Sequence, residues 1–130
     1  METDDAITIT FAPEGEDLRA VVRGAGTYSN TLTYWRTIAA VINERRPRGL
    51  LLVDETTGEP LSAEQWKALV DAMAGAGLEQ VRIAHVKPLG LQHIEFCELF
   101  AREAGLDARV FTNEMEASLW LRYAERSPFL

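Results

Sequence analysis

The feature that most constrains the fold is the stretch from Gly49 to Met73, GLLLVDETTGEPLSAEQWKALVDAM. Leu50 to Val53 are apolar without alternation, as expected of a strand covered on both faces, and such a strand belongs in a sheet packed between helices. Asp54 to Gly58 is polar and reads as a turn. Ser62 and Gln65 then make a Ser-x-x-Gln capping box, and Leu61 is spaced to staple onto Trp66. Trp66, Leu69, Val70 and Met73 form one helical stripe, which Gly75 and Gly77 close. A buried strand feeding a capped helix is half of a βαβ unit, so the flanking sequence should supply parallel neighbours.

It does. Ile7, Ile9 and Phe11 alternate with Thr8 and Thr10, and Leu18, Ala20 and Val22 alternate with Arg19 and Arg23, which predicts two strands. The segment Pro13-Glu14-Gly15-Glu16-Asp17 between them has turn composition, so they pair as a hairpin. After Gly24-Ala25-Gly26, Ser29 or Asn30 can cap a helix carrying Leu32, Trp35, Ile38, Ala39 and Ile42, which runs to about Arg46 and stops at Pro47. Val81 to Val86 predict the next strand. A helix from about Leu91 to Ala104 follows, with Ile94, Phe96, Cys97, Phe100, Ala101 and Ala104 on one arc and Glu95, Glu98 and Arg102 opposite. Ala108 to Phe111 predict a last strand, and Thr112 or Asn113 caps a final helix whose inner side would be Met115, Leu119, Trp120 and Tyr123. The tail from Glu125 onward, with Phe129 and Leu130, is expected to fray or fold back.

The expected fold is thus α/β: a mainly parallel five-stranded sheet with an N-terminal antiparallel hairpin and about four helices, in a single domain of 130 residues. The formal charge of −7 repels phosphate backbones, so nucleic acid is not an expected partner. Arg45, Arg46 and Arg48 sit where cations suit the carboxyl end of a helix. The single cysteine, Cys97, excludes an internal disulfide, and the sequence starts without a signal-peptide pattern, so the expected location is cytoplasmic. No apolar stretch approaches the roughly 20 residues that span a bilayer.

Two local patterns, together with the order of elements, resemble a known group. One is the ending RVFTNEMEASLWLR, in which Phe111 closes a strand and Ala117 and Trp120-Leu121 follow an acidic helix start. The other is the apolar strand ending in Asp54 and followed by Thr56-Thr57-Gly58. Over roughly residues 6 to 123 the chain resembles the STAS domains of anti-sigma-factor antagonists and transporter tails, and most of all a bacterial branch grouped with CRAL-TRIO-like lipid-exchange domains. The resemblance implies a STAS-like fold and a regulatory module that docks a protein partner or another copy of itself. In that family a serine or threonine in an Asp-Ser-Ser-Gly-like turn is phosphorylated to break docking, and the matching turn here offers Thr56 or Thr57. The same residues also suit a plain Asx- or ST-type turn. The lipid-exchange branch implies instead a small apolar ligand held between helix and sheet.

In a parallel sheet, ligands gather beyond the carboxyl ends of the strands. The residues expected there are Asp54, Thr56, Thr57 and Gly58, then His85 and Lys87, then Thr112 and Asn113. Phe96, Leu99 and Phe100 make their helix more apolar than one buried face requires, so it is either sandwiched or part of a partner or ligand surface. His85 and His93 lack metal-ligand spacing, so no metal is expected, nor any other cofactor; His93 reads as a core histidine. Asp54-Glu55-Thr56 and Lys87-Pro88 resemble pieces of phosphotransfer sites, which makes phosphoaspartate chemistry at Asp54 the minor alternative. The acidic pair of a receiver and a second acidic metal motif are both missing, and Cys97 falls in an apolar arc where a thiol behaves as a small hydrophobe. The expectation is therefore a non-enzymatic interaction module, with an apolar-ligand carrier as the alternative.

Overall fold

The computed structural model describes residues 6–92 and 94–124; His93, Phe129 and Leu130 lie outside these. Ten elements follow one another: β1 (Ile7–Glu14), β2 (Asp17–Ala25), α1 (Tyr28–Arg45), β3 (Gly49–Thr57), α2 (Ala63–Ala72), a 3-10 turn (Leu78–Gln80), β4 (Arg82–Val86), α3 (Phe96–Glu103), β5 (Ala108–Phe111) and α4 (Glu114–Tyr123). The strands form one sheet in the order β1-β2-β3-β4-β5. β1 and β2 are antiparallel, and the remaining pairs are parallel. The α/β architecture expected from the sequence is therefore the one observed.

Glu14 lies opposite Asp17 in the hairpin, which leaves Gly15 and Glu16 as a two-residue turn. Gly15 has φ +63°, a conformation that glycine adopts without Cβ strain. From β2 onward each strand pairs with the next one in sequence, so successive crossovers of one hand carry α1, α2 and α3 to the same face of the sheet. The period-two pleat of β3 shows the result. Leu50 and Leu52 join Tyr34, Ile38, Ile42, Trp66 and Leu69 in the main core. Leu51, pointing the other way, joins Ala84, Val86, Ala117 and Leu121 in a smaller core beneath α4.

Local signals account for the helix ends. Ser62 Oγ accepts from the Gln65 backbone while the Gln65 side chain accepts from the Ser62 backbone, so the capping box is complete. Asn113 Oδ1 accepts from the Glu116 amide at 3.0 Å and caps α4. The cap of α1 is Thr27, upstream of the expected Ser29 or Asn30: its hydroxyl accepts from the Asn30 amide. Three other expectations change. β3 runs on to Thr57, because Asp54 to Thr57 continue the ladder opposite Val22 to Ala25, and the turn starts only at Gly58. α3 starts at Phe96 and not near Leu91; just ahead of it the Glu95 carboxylate accepts from Lys87 Nζ and from the Gln92 amide. α4 is rotated from its expected facing. Ala117 and Leu121 are buried, whereas Met115 and Tyr123 are 72% and 73% exposed and Leu119 is also exposed. Small Ala117 lets the helix approach the sheet; of the residues expected inside, Trp120 does pack against this smaller core, beside Phe111, while Met115, Leu119 and Tyr123 are left outside.

A candidate ligand site at the carboxyl ends of β3 and β4

The pairing of β3 with β4 sets Leu52 opposite His85, so Asp54, two residues further on, is the diagonal neighbour of His85 on the same sheet face. Both side chains are buried, at 8% and 4% exposure. His85 Nε2 donates to Asp54 Oδ2 at 2.8 Å, and the Tyr34 hydroxyl, brought in by α1, donates to the same oxygen at 3.3 Å. Asp54 Oδ1 accepts from the Thr56 hydroxyl at 2.6 Å and from the Thr56 amide at 3.0 Å. Both carboxylate oxygens are thus fully engaged, and Trp35 sets its edge against the His85 ring at 5.9 Å between centroids.

Burial alone would push the Asp54 carboxyl up. The hydrogen bond and charge of His85, with the two bonds from Thr56, outweigh it and hold Asp54 well below the usual carboxylate range. Burial would likewise push the His85 imidazole down, but its bond to Asp54 and its contact with Cys97 outweigh that and raise it to about 9. At neutral pH the pair is therefore carboxylate and imidazolium. The Tyr34 hydroxyl is pushed well up, by burial first and then by the Asp54 charge, so it stays a donor.

A second ion pair lies alongside. Lys87 Nζ, at the end of β4, bonds Glu95 Oε1 at 2.6 Å. Burial would depress Lys87, but the nearby Cys97 and Glu95 outweigh that and raise it; Glu95, which burial would raise, is lowered by Lys87 and by the Gln92 amide. Cys97 Sγ donates to Glu95 Oε1 at 3.5 Å. Lys87 Nζ also stands over the Trp66 ring, 5.6 Å from its centroid. This polar cluster forms a wall with a groove on either side.

One groove, of about 340 Å3, is the more polar of the two and is lined by Tyr34, Asp54, Thr56, Thr57, Gly58, Lys87 and Glu95 together with Leu61, Leu89 and Phe96. The other, of about 310 Å3, is mostly apolar and runs between α2, α3 and the sheet, with Trp35, Leu69, Met73, Ile83, Leu106 and Val110 among its walls and His85, Cys97, Glu79, Glu98 and Arg109 as its polar lining. Small residues open it: Ala74, Gly75, Ala101, Ala104 and Ala108 stand where larger side chains would fill the space.

Of the residues expected at the strand ends, Asp54, Thr56, Thr57, Gly58 and Lys87 do meet around one groove, and His85 lies behind Asp54. Thr112 and Asn113 do not join them; both are exposed, and Asn113 caps α4. The residues expected to form an apolar surface separate as well: Phe96 edges the polar groove, Phe100 packs by stacking on Phe96, and Leu99 is exposed. The apolar groove uses the neighbouring face of α3, Cys97, Ala101 and Ala104. Glu95, expected on the solvent side, is half-buried with Lys87. Tyr34 and Glu95 carried no motif. The signal for Tyr34 was its place in the stripe Thr31, Tyr34, Trp35, Ile38, Ala39, Ile42, which is the buried face of α1.

Among the described residues no three His, Cys, Asp or Glu side chains are grouped to hold a metal ion, and no helix is long and apolar enough to cross a membrane. No protein-family model and no curated protein matches the chain.

Proposed function

We propose that the chain is a binding module for a small, largely apolar molecule, seated between α2, α3 and the sheet. The observation that carries this reading is the mostly apolar groove of about 310 Å3, which falls in the size range of small-molecule sites and has a few polar groups in its lining. The activity is binding without chemistry. Asp54, the one nucleophile that the sequence suggested, is buried with both oxygens hydrogen-bonded, which supports a structural role for it. Native mass spectrometry of freshly purified protein, followed by displacement of an environment-sensitive dye, tests the reading. Ala104→Phe, at the exposed groove margin, should weaken dye binding at least tenfold without loss of fold. A protein that carries no bound mass, and dye binding indifferent to Ala104→Phe, would sink it.

The second reading, a STAS-like cytoplasmic module that docks a protein partner or a second copy, is favoured by one feature. The turn after β3, with Pro60 and Leu61, faces an exposed apolar loop bearing Leu89 and Ile94 across the polar groove. Thr57 is exposed there, whereas the Thr56 hydroxyl is committed to Asp54, so Thr57 is the residue of the pair open to phosphorylation. Thr57→Glu should keep the fold and lose a pull-down partner; retention of every partner counts against docking through this turn.

A further inference from the structure

The two edges of the sheet differ in how their backbone groups are met. At β5 the outward-facing groups are occupied by α3: Arg102 Nε donates to the Ala108 carbonyl at 2.9 Å, and Glu98 Oε1 accepts from the Val110 amide at 2.8 Å. That strand is also only four residues long and carries the charge of Arg109. Short, charged and covered edges are protected against pairing with a further strand. β1 is the opposite case. Its hairpin closes on Glu14 and Asp17 around a two-residue turn, which makes Thr8, Thr10, Ala12 and Glu14 the residues bonded to β2. The N–H and C=O groups of Ile7, Ile9 and Phe11 therefore face away from the sheet, and among the described residues none of them has a partner. Pro13, which has no N–H to leave open, falls on the same outward side. The pairing runs from Ile7 to Glu14 without a bulge, and residues 6–12 hold no charge.

This edge is complementary to itself. Residues 6–12 read AITITFA, which is symmetrical about Ile9 in the kind of side chain at each place. An antiparallel strand of the same sequence, centred on Ile9, sets Ile9 against Ile9, Ile7 against Phe11, Thr8 against Thr10 and Ala6 against Ala12. The open backbone groups then satisfy one another, because Ile7, Ile9 and Phe11 all fall in hydrogen-bonded pairs. Their side chains are half-buried at the border of the main core, and the matching residues of a second copy cover what is still exposed. On the other face, where Thr8 and Thr10 are exposed, threonine meets threonine. We propose that β1 is a docking edge for a second copy of this chain, and that two copies join their sheets into one continuous sheet with β1 beside β1 at its centre. Since β5 is sealed, the assembly stops at two. Neither groove is lined by β1, so the inference stands apart from the ligand reading.

The test is sedimentation velocity over a concentration series, combined with hydrogen exchange of the β1 amides followed by NMR. The wild type should give a species of twice the chain's mass. As it forms, the amides of Ile7, Ile9 and Phe11 should become protected, whereas those of Thr8, Thr10 and Ala12 are already bonded within one copy. Thr8→Lys with Thr10→Lys sets like charges against each other in this register and should weaken dimerisation at least about tenfold, while Thr8→Lys with Thr10→Glu sets opposite charges together and should retain it. Both positions are exposed, and circular dichroism checks the fold. If the double-lysine protein does not fold, the amide readout on the wild type decides alone. A wild type that stays monomeric at every concentration overturns the inference, as does a dimer that leaves those amides unprotected or is indifferent to which charges are introduced. Growth beyond two copies overturns the closure at β5. Protection of the same amides by a copurified polypeptide of another sequence overturns the second copy as the occupant.

Discussion

The Asp54–His85 pair makes stability depend on alkaline pH in a calculable way. His85 is raised from 6.5 to about 9 in the folded chain. Its protonation therefore contributes fully below pH 6.5, and the contribution is lost as pH rises through 9. The gap between those values, at about 1.4 kcal/mol for each pH decade, amounts to about 3 kcal/mol. That is a large share of the roughly 5–15 kcal/mol by which a domain is stable. Urea unfolding followed by circular dichroism at intervals from pH 6 to pH 10 reads it directly. Stability should fall by about 3 kcal/mol over the range, most steeply at about 1.4 kcal/mol per pH unit. His85→Gln can keep a donor facing Asp54 but does not titrate, so its curve should lose this slope and start about 3–5 kcal/mol lower, because Asp54 stays buried without its counter-charge. At the acid end the sign reverses. Asp54 is depressed, so its share of the stability is present above the ordinary carboxylate range and lost as pH falls below it. A wild-type curve that is flat from pH 6.5 to 9, or a His85→Gln protein with the same slope, refutes the assignment of a charged pair.

The orientation of α4 is checked by a pair of truncations: Leu121→Ala should cost about 2–5 kcal/mol and Leu119→Ala less than about 1 kcal/mol in the same urea assay, since the first is buried against the sheet and the second is exposed. Ser62→Ala, which removes half of the capping box, should lower stability by about 1 kcal/mol and raise hydrogen exchange in the first turn of α2.

What could be read in the residues, and what could not, divides along the range of the interactions involved. The apolar run Leu50–Val53, the Ser62–Gln65 box, the Asn113 cap and the period-two patterns of β1 and β2 are set within a few residues of sequence, and the observed elements follow them. Where a local signal met a distant partner, the partner prevailed. Asp54 to Thr57 has turn composition, yet it continues β3 because the backbone of β2 offers a ladder to pair with. Met115, Leu119 and Tyr123 lie at helical spacing and suggest a core stripe, yet the sheet beneath accepts the smaller Ala117–Leu121 face.

The stretch from Gly49 to Met73 thus determined the class of fold by itself, since an unalternating strand followed by a capped helix can be buried only in a layered α/β sheet. It did not determine the site. Asp54 acquires its character from His85, 31 positions along the chain, and from Tyr34, 20 positions back. Those contacts arise only when β3 and β4 pair in register and α1 packs over them. The two grooves are spaces between elements. A sequence specifies the side chains that border such a space, but only packing decides whether they meet and fill it or stand apart.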